Sequence, residues 1–289
     1  MALETLPIFA LSSLAAGATV VFPTMDLRKP ASVDPRRALK TLRRERVTVS
    51  TASPAFFAPI VAHMRATGQT WDGMRAVFTG GARVPAALLA GLRQVFPNAR
   101  VEAVYGSTEA EPIAGNADVD AALAGEADGR GALVGRPVRE VDVRVTVPGT
   151  LDPADGIGEI VVAGAHVNPA YFRDDEANRR TKLREGDRVW HRTGDCGRLD
   201  AQGRLWLVGR VGEDVDGQWP FPVEARAEAV PGVRKAAFMP GPLVCWEGTA
   251  EDAAVARALA LPTRRLPRIP VDRRHNAKVD RPALAALLK

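Results

Sequence analysis

The sequence predicts an α/β fold in which a parallel sheet with flanking helices is followed by a small antiparallel, barrel-like β subdomain and a small α+β domain. Residues 1–112 alternate short β-branched runs with longer segments of helical spacing. Residues 113–209 hold short strands between Gly, Pro and Asp turns, and residues 210–289 alternate short helices and strands. With 289 residues, 46% of them hydrophobic, the chain is long enough to bury a core and to form these three domains.

The first domain begins with clear helix and strand signals. Asp34 can cap a helix that has Pro35 in its first turn and Leu39 and Leu42 on one face. Strands and helices then alternate, which indicates a mostly parallel sheet whose ligand-binding loops follow the carboxyl ends of the strands. In chain order the segments are VTVS (strand), PAFFAPIVAHMRA (helix), MRAVFTGG (strand and glycine turn), VPAALLAGLRQVF (helix) and ARVEAVYGSTE (strand and loop).

The stretch from Leu6 to Phe22 is apolar enough to suggest a signal peptide or a membrane anchor. However, no Lys or Arg precedes Arg28, Pro7 interrupts the start, and the run is shorter than the roughly 20 residues that span a bilayer. We therefore expect no membrane span, but a buried helix that runs into a buried strand, GATVVFP. An opening this hydrophobic is typical of an internal segment of a longer protein.

The later domains are rich in turn-forming residues. Residues 114–136 contain many Gly, Ala and Asp residues and predict a surface loop. The segments VDVRVTV, GEIVVAG and GRLWLVG then predict short antiparallel strands. The polar stretch VGEDVDGQWP, which follows Arg210, predicts a linker to the last domain.

Charge and cysteine content narrow the class of protein. The formal net charge of +5 is modest, and basic residues alternate with acidic ones, so the composition does not indicate nucleic acid and suits a small polyanion such as ATP equally well. Cys196 and Cys245 have no metal-ligand spacing and no disulfide framework, which indicates a reducing, cytoplasmic compartment. We expect a small-molecule partner and no nucleic acid.

The segment VYGSTEAEP is the first candidate site. Its glycine and hydroxyl residues follow a predicted buried strand, so backbone N–H groups can approach phosphate oxygens, and Glu109 can hold a magnesium ion beside them. The alternative interpretation is a turn followed by a solvated acidic patch.

The segment VWHRTGDCGRLDAQGRLWLVGR is the second candidate. Asp195 lies in a predicted glycine-flanked turn between strands, and Arg210 ends a strand of a hairpin whose turn is DAQG. A carboxylate in such a turn suits bidentate contact with a ribose diol, and a nearby Arg can support it. The alternative is an ordinary hairpin with a solvent-exposed salt bridge.

The segment RIPVDRRHNAKVDRPAL is the third candidate. The chain has 6 lysines against 33 arginines, so Lys278 departs from the local pattern. Lysine carries a compact charge on a flexible stem and can reach a carboxylate and an α-phosphate together. The alternative is a surface lysine before a final helix.

Together these motifs resemble the adenylate-forming, AMP-binding superfamily of acyl-CoA synthetases, peptide-synthetase adenylation domains and luciferases. The resemblance covers essentially the whole chain and keeps the family's motif order. The motifs are VFTGGARVP, VYGSTE, GEIVVAG followed by YF, HRTGDCGRLDAQGRLWLVGR and the terminal HNAKVDR. This resemblance implies ATP-dependent activation of a small-molecule carboxylic acid to acyl-AMP with Mg²⁺, coenzyme A as a candidate co-substrate, and a mobile C-terminal lid domain.

The resemblance also implies a nucleotide pocket in the first part of the chain. Gly80, Gly81 and Ala82 would border the adenine and acyl pocket. Tyr105, followed by Gly106, would stack on adenine, which suits an aromatic ring because its face accepts a purine.

Further roles follow for the polar residues of the three candidate sites. Thr108 would contact the α-phosphate, and Glu109 would bind magnesium. Asp195 and Arg210 would hold the ribose hydroxyls. Lys278 would bridge the substrate carboxylate and the phosphate, so we assign Lys278, Thr108 and Glu109 to catalysis.

Several strings narrow the resemblance to olefin β-lactone synthetases and neighbouring fatty-acyl-AMP ligases. They are VFPTMDLRKPASVDP, VGRPV, WHRTGD and RHNAK. Enzymes of this kind activate a long 2-alkyl-3-hydroxy acid and close it to a β-lactone without coenzyme A. The narrower resemblance therefore implies a fatty or 3-hydroxy fatty acid as substrate, although a coenzyme A ligase would share most of these strings.

The sequence also departs from the family. It contains no Ser/Thr/Gly-rich loop ending in Pro-Lys, which cradles the β- and γ-phosphates of ATP, and we expect that loop upstream of residue 1. Asp214 or Asp216 aligns only loosely with the family's hinge residue, and the C-terminal domain is short.

Three hypotheses follow from these departures. In the first, the chain is a ligase fragment that is inactive alone: a truncated or incomplete product, or one half of a split enzyme whose partner supplies the phosphate loop. In the second, it is a non-catalytic relative that binds a nucleotide or an acyl group. In the third, it is a structural or protein-interaction domain on the same scaffold. A mere scaffold needs none of Glu109, Asp195 and Lys278, so their presence argues against the third hypothesis.

Overall fold

The structure is a computed structural model that describes residues 1–272 and 277–289. By its internal contacts the chain divides into two units, and each is described by itself. The first unit comprises residues 1–104, 117–119 and 270–280, and the second comprises residues 105–116, 120–269 and 281–289. The division into domains at residues 112 and 209 stays a prediction.

The first unit alternates strands and helices as the sequence predicts. Its elements are β1 (Ala2–Glu4), α1 (Pro7–Ala15), β2 (Val20–Val21), α2 (Pro35–Arg44), β3 (Val49–Ala52), α3 (Pro54–Ala66), β4 (Ala76–Gly80), α4 (Ala86–Val95) and β5 (Arg100–Ser107), whose end belongs to the second unit. The strands form a parallel sheet in the order β2-β1-β3-β4-β5. Parallel pairing puts the carboxyl ends of the strands at one edge of this sheet.

The start of α2 shows why the local sequence folds this way. Oδ1 of Asp34 accepts a hydrogen bond from the backbone N–H of Arg36 at 2.9 Å, and Pro35 occupies the first helical position. Leu39 and Leu42 are buried. The predicted cap and the predicted apolar face of this helix are therefore confirmed.

The apolar start of the chain differs from the prediction. Helix α1 buries Ala10 and leaves Ile8, Leu11 and Leu14 exposed by 64%, 64% and 55%. Strand β2 is only half-buried, so the expectation of a buried helix that runs into a buried strand was wrong. Helix α1 packs against β1 and β2, the last of which is the edge strand of the sheet. Among the described residues, no helix combines the length and the apolar character needed to cross a bilayer.

The second unit contains two sheets. Its elements are β6 (Ala110–Asn116), α5 (Val119–Ala127), β7 (Ala132–Pro137), β8 (Val141–Thr146), β9 (Gly158–Gly164), α6 (Asp175–Thr181), β10 (Lys182–Glu185), β11 (Arg188–Leu199), β12 (Leu205–Arg210), α7 (Pro220–Glu228), β13 (Val233–Met239), β14 (Leu243–Gly248), α8 (Asp252–Leu259), β15 (Thr263–Arg265) and α9 (Arg281–Leu288). An antiparallel sheet has the order β6-β7-β12-β11-β9-β8, with β10 paired to β11. The smaller sheet has the order β13-β14-β15. The predicted antiparallel strands of this region are confirmed.

The surface loop predicted for residues 114–136 was wrong, because this stretch forms the end of β6, helix α5 and most of β7. A Cβ atom at Gly125 would lie 2.0 Å from the ring of Trp206. Ala122 and Leu133 are also buried. The Gly and Ala residues that suggest a loop serve instead to let this helix approach a tryptophan closely.

The linker after β12 is tied to the last helix by charged side chains. Arg281 contacts Oε1 of Glu213 at 2.9 Å through Nε and Oε1 of Glu224 at 3.0 Å through Nη2, and it also donates to the carbonyl of Phe238. Oε2 of Glu213 accepts from the backbone N–H of Arg210 at 3.0 Å. The linker, α7 and the start of α9 are therefore held by one guanidinium group.

Candidate functional site

Tyr105, Asp195 and Arg210 meet within the second unit. The hydroxyl of Tyr105 donates to Oδ2 of Asp195 at 2.8 Å, and Nη1 of Arg210 lies 3.0 Å from Oδ1. Burial, together with the charge of Asp195, raises the pKa of Tyr105 well above its usual range, so its hydroxyl remains a donor. The carboxylate is thereby oriented by a neutral donor on one oxygen and a cation on the other.

Asp195 lies within a strand, so the prediction of a glycine-flanked turn was wrong. It is directly opposite Arg210 in the pairing of β11 with β12. An irregularity of the strand takes the place of the turn: from Arg192 to Cys196, β11 advances four residues while β9 advances two. Such a bulge re-aims side chains without ending the strand.

Thr193 and Gly194 shape this bulge, although the sequence did not single them out as site residues. The hydroxyl of Thr193 donates to the carbonyl of Ile160 at 2.8 Å and accepts from the backbone N–H of Asp195 at 3.1 Å. Gly194 has a φ of +72°, and a Cβ atom there would lie 2.7 Å from Nη2 of Arg210. Both residues belong to the quoted string HRTGD, which is the signal that could have identified them.

Glu109 lies in the turn between β5 and β6, and the chain holds it at three points. Its Oε1 accepts from the hydroxyl of Tyr171 at 2.7 Å. Its carbonyl accepts from the backbone N–H of Asn168 at 2.7 Å, and its own N–H donates to Oγ of Ser107 at 3.2 Å. The YF string was part of the predicted family pattern, but the role of Tyr171 was missed.

Lys182 and His191 complete the surroundings of Tyr171. Nζ of Lys182 donates to the carbonyl of Asn168 and lies 3.2 Å from Nδ1 of His191. Burial lowers the pKa of Lys182; burial and the adjacent lysine charge lower the pKa of His191 to about 4, so the imidazole is neutral and accepts at Nδ1. Burial acts to raise the pKa of Glu109, but hydrogen bonds, that of Tyr171 first, outweigh it and lower this pKa.

The donor set around Glu109 fits a magnesium ion that is shared with a nucleotide. Within residues 1–272 and 277–289, no group of three or more His, Cys, Asp and Glu side chains is arranged to hold a metal. Glu109 offers one ionised carboxylate, and Mg²⁺ is commonly held by one or two carboxylates together with substrate phosphates and water. A metal site made of protein groups alone does not fit this arrangement.

The AMP-binding enzyme family matches residues 6–172 of the chain. That match covers more than half of the sequence. The chain belongs to the AMP-binding enzyme family. Since this family is adenylate-forming, the predicted superfamily is confirmed.

Two relatives of the chain are olefin beta-lactone synthetases. The one from Xanthomonas campestris pv. campestris is 35% identical over 98% of this chain and 58% of its own length. The one from Stenotrophomonas maltophilia is 33% identical, with the same two coverages of 98% and 58%. The chain thus spans less than two thirds of the length of these relatives.

A solved structure with the same fold is the amide bond synthetase McbA from Marinactinospora thermotolerans. It matches the chain with a TM-score of 0.80 and 26% identity, over 100% of this chain and 62% of its own. The predicted α/β fold with a second, smaller sheet is confirmed by this likeness.

Other predicted site residues lie in the first unit of the chain. Gly80 is the last residue of β4, and a Cβ atom there would lie 2.4 Å from the carbonyl oxygen of Val104. Gly81 has a φ of +81°, and Ala82 follows it. Strand pairing and backbone conformation therefore demand glycine at these two positions, and the adenine and acyl roles of all three residues stay predictions.

Lys278 also belongs to the first unit and is exposed. Its backbone N–H donates to Oδ1 of Asp272 at 3.0 Å, and its carbonyl accepts from the N–H of Asp272 at 2.9 Å. His275 and Asn276 of the predicted HNAK motif lie outside the described residues. The bridging role of Lys278 stays a prediction.

Gly106 and Thr108 flank the turn that carries Glu109. A Cβ atom at Gly106 would lie 2.5 Å from Oε2 of Glu111, and burial raises the pKa of Glu111 to about 7. Thr108 is exposed in the turn between β5 and β6. Its predicted contact with an α-phosphate therefore requires no rearrangement of the core.

Proposed function

We propose that the chain forms the ribose and metal side of a ligase that activates a fatty or 3-hydroxy fatty acid with ATP. The observation that carries this proposal is the contact of Asp195 with both Tyr105 and Arg210 in an AMP-binding fold. Each oxygen of a carboxylate can accept more than one hydrogen bond, so the oriented Asp195 can still accept from the two hydroxyls of a ribose. Arg210 supports its charge.

The reaction proposed for the complete site is an attack of the acid's carboxylate oxygen on the α-phosphorus of ATP. The bond between this phosphorus and the oxygen that bridges to the β-phosphate breaks, and pyrophosphate leaves. Thr108 would contact the α-phosphate, and Lys278 would sit between the carboxylate and the phosphate, where its positive charge reduces their repulsion. Glu109 would hold Mg²⁺, which supplies neutralisation of phosphate charge.

The names of the two relatives support a β-lactone as the product. In a 3-hydroxyacyl-AMP, the hydroxyl oxygen can attack the acyl carbon, so that a four-membered ring closes, the acyl–phosphate bond breaks, AMP leaves and the hydroxyl loses its proton. This step needs no coenzyme A. A thioester formed with coenzyme A is the alternative fate of the acyl-AMP.

A second polypeptide region is part of the proposal. The 289 residues contain no Ser/Thr/Gly-rich loop ending in Pro-Lys, so we assign the β- and γ-phosphates of ATP to a region outside them. The same observation favours the alternative function, a nucleotide- or acyl-binding relative without ligase activity. A cytoplasmic location belongs to the proposal too, and both cysteines are unbridged.

Calorimetry with AMP and with a non-hydrolysable acyl-AMP analogue tests the ribose site. Asp195→Ala should weaken the binding of both by at least about tenfold, because a half-buried ionic acceptor is lost. Asp155→Ala, which removes an exposed carboxylate from a turn of the same unit, is the matched control and should bind like wild type. Equal binding by wild type and Asp195→Ala would overturn the assignment.

Exchange of labelled pyrophosphate into ATP separates a ligase part from a self-sufficient enzyme. The chain alone, given a 3-hydroxy fatty acid and Mg²⁺, should show negligible exchange. Exchange that appears on adding the N-terminal region of an olefin beta-lactone synthetase would support the ligase. Robust exchange by the 289 residues alone would contradict the proposal that another region is needed.

A further inference from the structure

We propose that Tyr171 is a positioning residue that orients the Glu109 carboxylate toward a divalent cation, and that residues 168–182 form the segment that fixes it. We call these residues the carboxylate-holding segment. The inference rests on the proposed function, since it takes Glu109 to be the group that meets the cation.

Glu109 is held through its side chain and its backbone by the same segment. The Tyr171 hydroxyl lies 2.7 Å from Oε1, and the N–H of Asn168 lies 2.7 Å from the Glu109 carbonyl. Two contacts of this kind fix both the position of the residue and the direction of its carboxylate. Glu109 and Tyr171 are 62 residues apart, so no local preference of the turn provides this orientation.

Tyr171 is itself fixed by Asn178 of α6. Oδ1 of Asn178 accepts from the Tyr171 N–H at 2.7 Å, and Nδ2 donates to the Tyr171 carbonyl at 3.0 Å. The start of α6 is capped by Asp174, whose side chain accepts from the N–H of Ala177 at 2.9 Å. Helix α6 thus fixes the backbone of Tyr171 through hydrogen bonds to both its N–H and its carbonyl.

Lys182, the last residue of the carboxylate-holding segment, contacts the first residue of that segment. Its Nζ donates to the carbonyl of Asn168, lies 3.2 Å from Nδ1 of His191, and lies 5.2 Å from the ring centroid of Tyr171. The ammonium group therefore contacts the first residue of the segment, the ring of the tyrosine and strand β11. His191 is buried, which makes β11 a fixed support for this lysine.

A neutral hydroxyl is the donor that suits a metal-binding carboxylate. A cationic partner at the same place would orient the carboxylate but would also cancel its charge, whereas a phenol orients it and leaves the negative charge for a cation. A phenol has an ordinary pKa of about 10, so at neutral pH it keeps its proton and donates to the carboxylate. The Tyr171 hydroxyl is thus the donor to Oε1, whereas the ammonium of Lys182, whose charge also interacts with Glu109, donates to the carbonyl of Asn168.

Manganese binding tests this role without any turnover. Mn²⁺ is titrated into protein saturated with AMP and followed by electron paramagnetic resonance. Tyr171→Phe removes the hydroxyl and keeps the ring. It should lower the affinity for Mn²⁺ roughly tenfold, as is usual for groups that orient metal ligands. Phe172→Leu changes the neighbouring residue, which is 86% exposed, and should leave the affinity unchanged.

Two further variants keep the outcomes distinct. Asn178→Ala removes the hydrogen bonds between Tyr171 and α6 and leaves Glu109 unchanged. It should also lower the affinity for Mn²⁺, and it takes the place of Tyr171→Phe if that variant does not fold. Glu109→Gln reports on the proposed function itself. Suppose that Glu109→Gln lowers the affinity for Mn²⁺ but that Tyr171→Phe, or Asn178→Ala in its place, binds Mn²⁺ like wild type. The positioning role of Tyr171 is then wrong, and the proposed function stands. If Glu109→Gln leaves Mn²⁺ binding unchanged, the cation role of Glu109 is wrong, and the positioning role falls with it.

Discussion

The hydroxyl of Tyr105 donates to Oδ2 of Asp195 at 2.8 Å, so a residue at the end of β5 orients a carboxylate on β11. The ring of Tyr105 belongs to the apolar core of the second unit, with Ile113 and Ile160 among its neighbours, and only 9% of the residue is exposed. We therefore expect the main contribution of Tyr105 to be the placement of Asp195. Stacking on adenine, which the family resemblance implies, stays a prediction.

Tyr105→Phe should separate these two contributions. The change keeps the aromatic face and deletes the donor, so AMP affinity should fall by about three- to tenfold and unfolding free energy by about 1–2 kcal/mol. AMP titrations without metal and urea unfolding measure the two quantities. Tyr171→Phe is the matched control and should leave metal-free AMP affinity unchanged, whereas wild-type affinity in Tyr105→Phe would show that the hydroxyl does not matter.

Gly194→Ala should weaken AMP binding through Arg210. The new methyl group would lie 2.7 Å from Nη2 of Arg210 and displace the guanidinium, and alanine at a φ of +72° costs about 1 kcal/mol in addition. Gly203→Ala is the matched control, because Gly203 has a φ of +70° with nothing within 4 Å. Both variants should lose similar stability in urea unfolding, but only Gly194→Ala should lose AMP affinity; equal losses of affinity would contradict the expectation.

His191 should make stability depend on pH. Its pKa is lowered to about 4 in the folded protein, mainly by burial, and is about 6.5 when unfolded. The unfolded state therefore binds more protons between these values, and the stabilisation is complete above about pH 6.5 and lost as pH falls toward 4. The free energy of unfolding should therefore fall by about 2 kcal/mol between pH 7.5 and pH 5. His191→Gln should remove this part of the pH dependence, and identical slopes of unfolding free energy against pH in both proteins would contradict the assignment.

Arg281→Leu should destabilise the protein strongly. The side chain of Arg281 is 21% exposed and pairs with Glu224, which is 5% exposed, and with Glu213. Removing one partner of a largely buried ionic network costs about 3 kcal/mol or more. Arg257→Leu, at an exposed position on α8, is the matched control for urea unfolding and should change stability little. A loss below about 1 kcal/mol in Arg281→Leu would mean that the network contributes little to stability.

Much of the fold could be predicted because local chemistry decides it. Asp34 and Pro35 mark a helix start whatever surrounds them, and the DAQG turn brings Asp195 and Arg210 together by closing a hairpin. The motifs thus placed Asp195 and Arg210 beside each other, as the structure has them, and their role at a ribose stays a prediction.

The features that could not be predicted depend on distant partners. The small residues of α5 suggest a loop, because the sequence does not show that Gly125 packs against the ring of Trp206. The contact of Tyr171 with Glu109 joins residues 62 positions apart, and nothing in either segment alone requires it. An apolar run indicates a segment that can be buried, but it does not show whether other residues cover it, which is why the burial of α1 was predicted wrongly.

The irregularity of β11 sets a rule for insertions and deletions. Between Arg192 and Cys196 the strand carries two more residues than β9. Since side chains alternate between the two faces of a sheet, an even number of added residues leaves every later side chain on its original face. Deletion of a single residue here would reverse the faces of Cys196 and all that follows it in the strand, burying polar groups and exposing apolar ones. The length of this segment therefore matters as much as its composition, and a single-residue deletion should destabilise the protein more than a deletion of two residues.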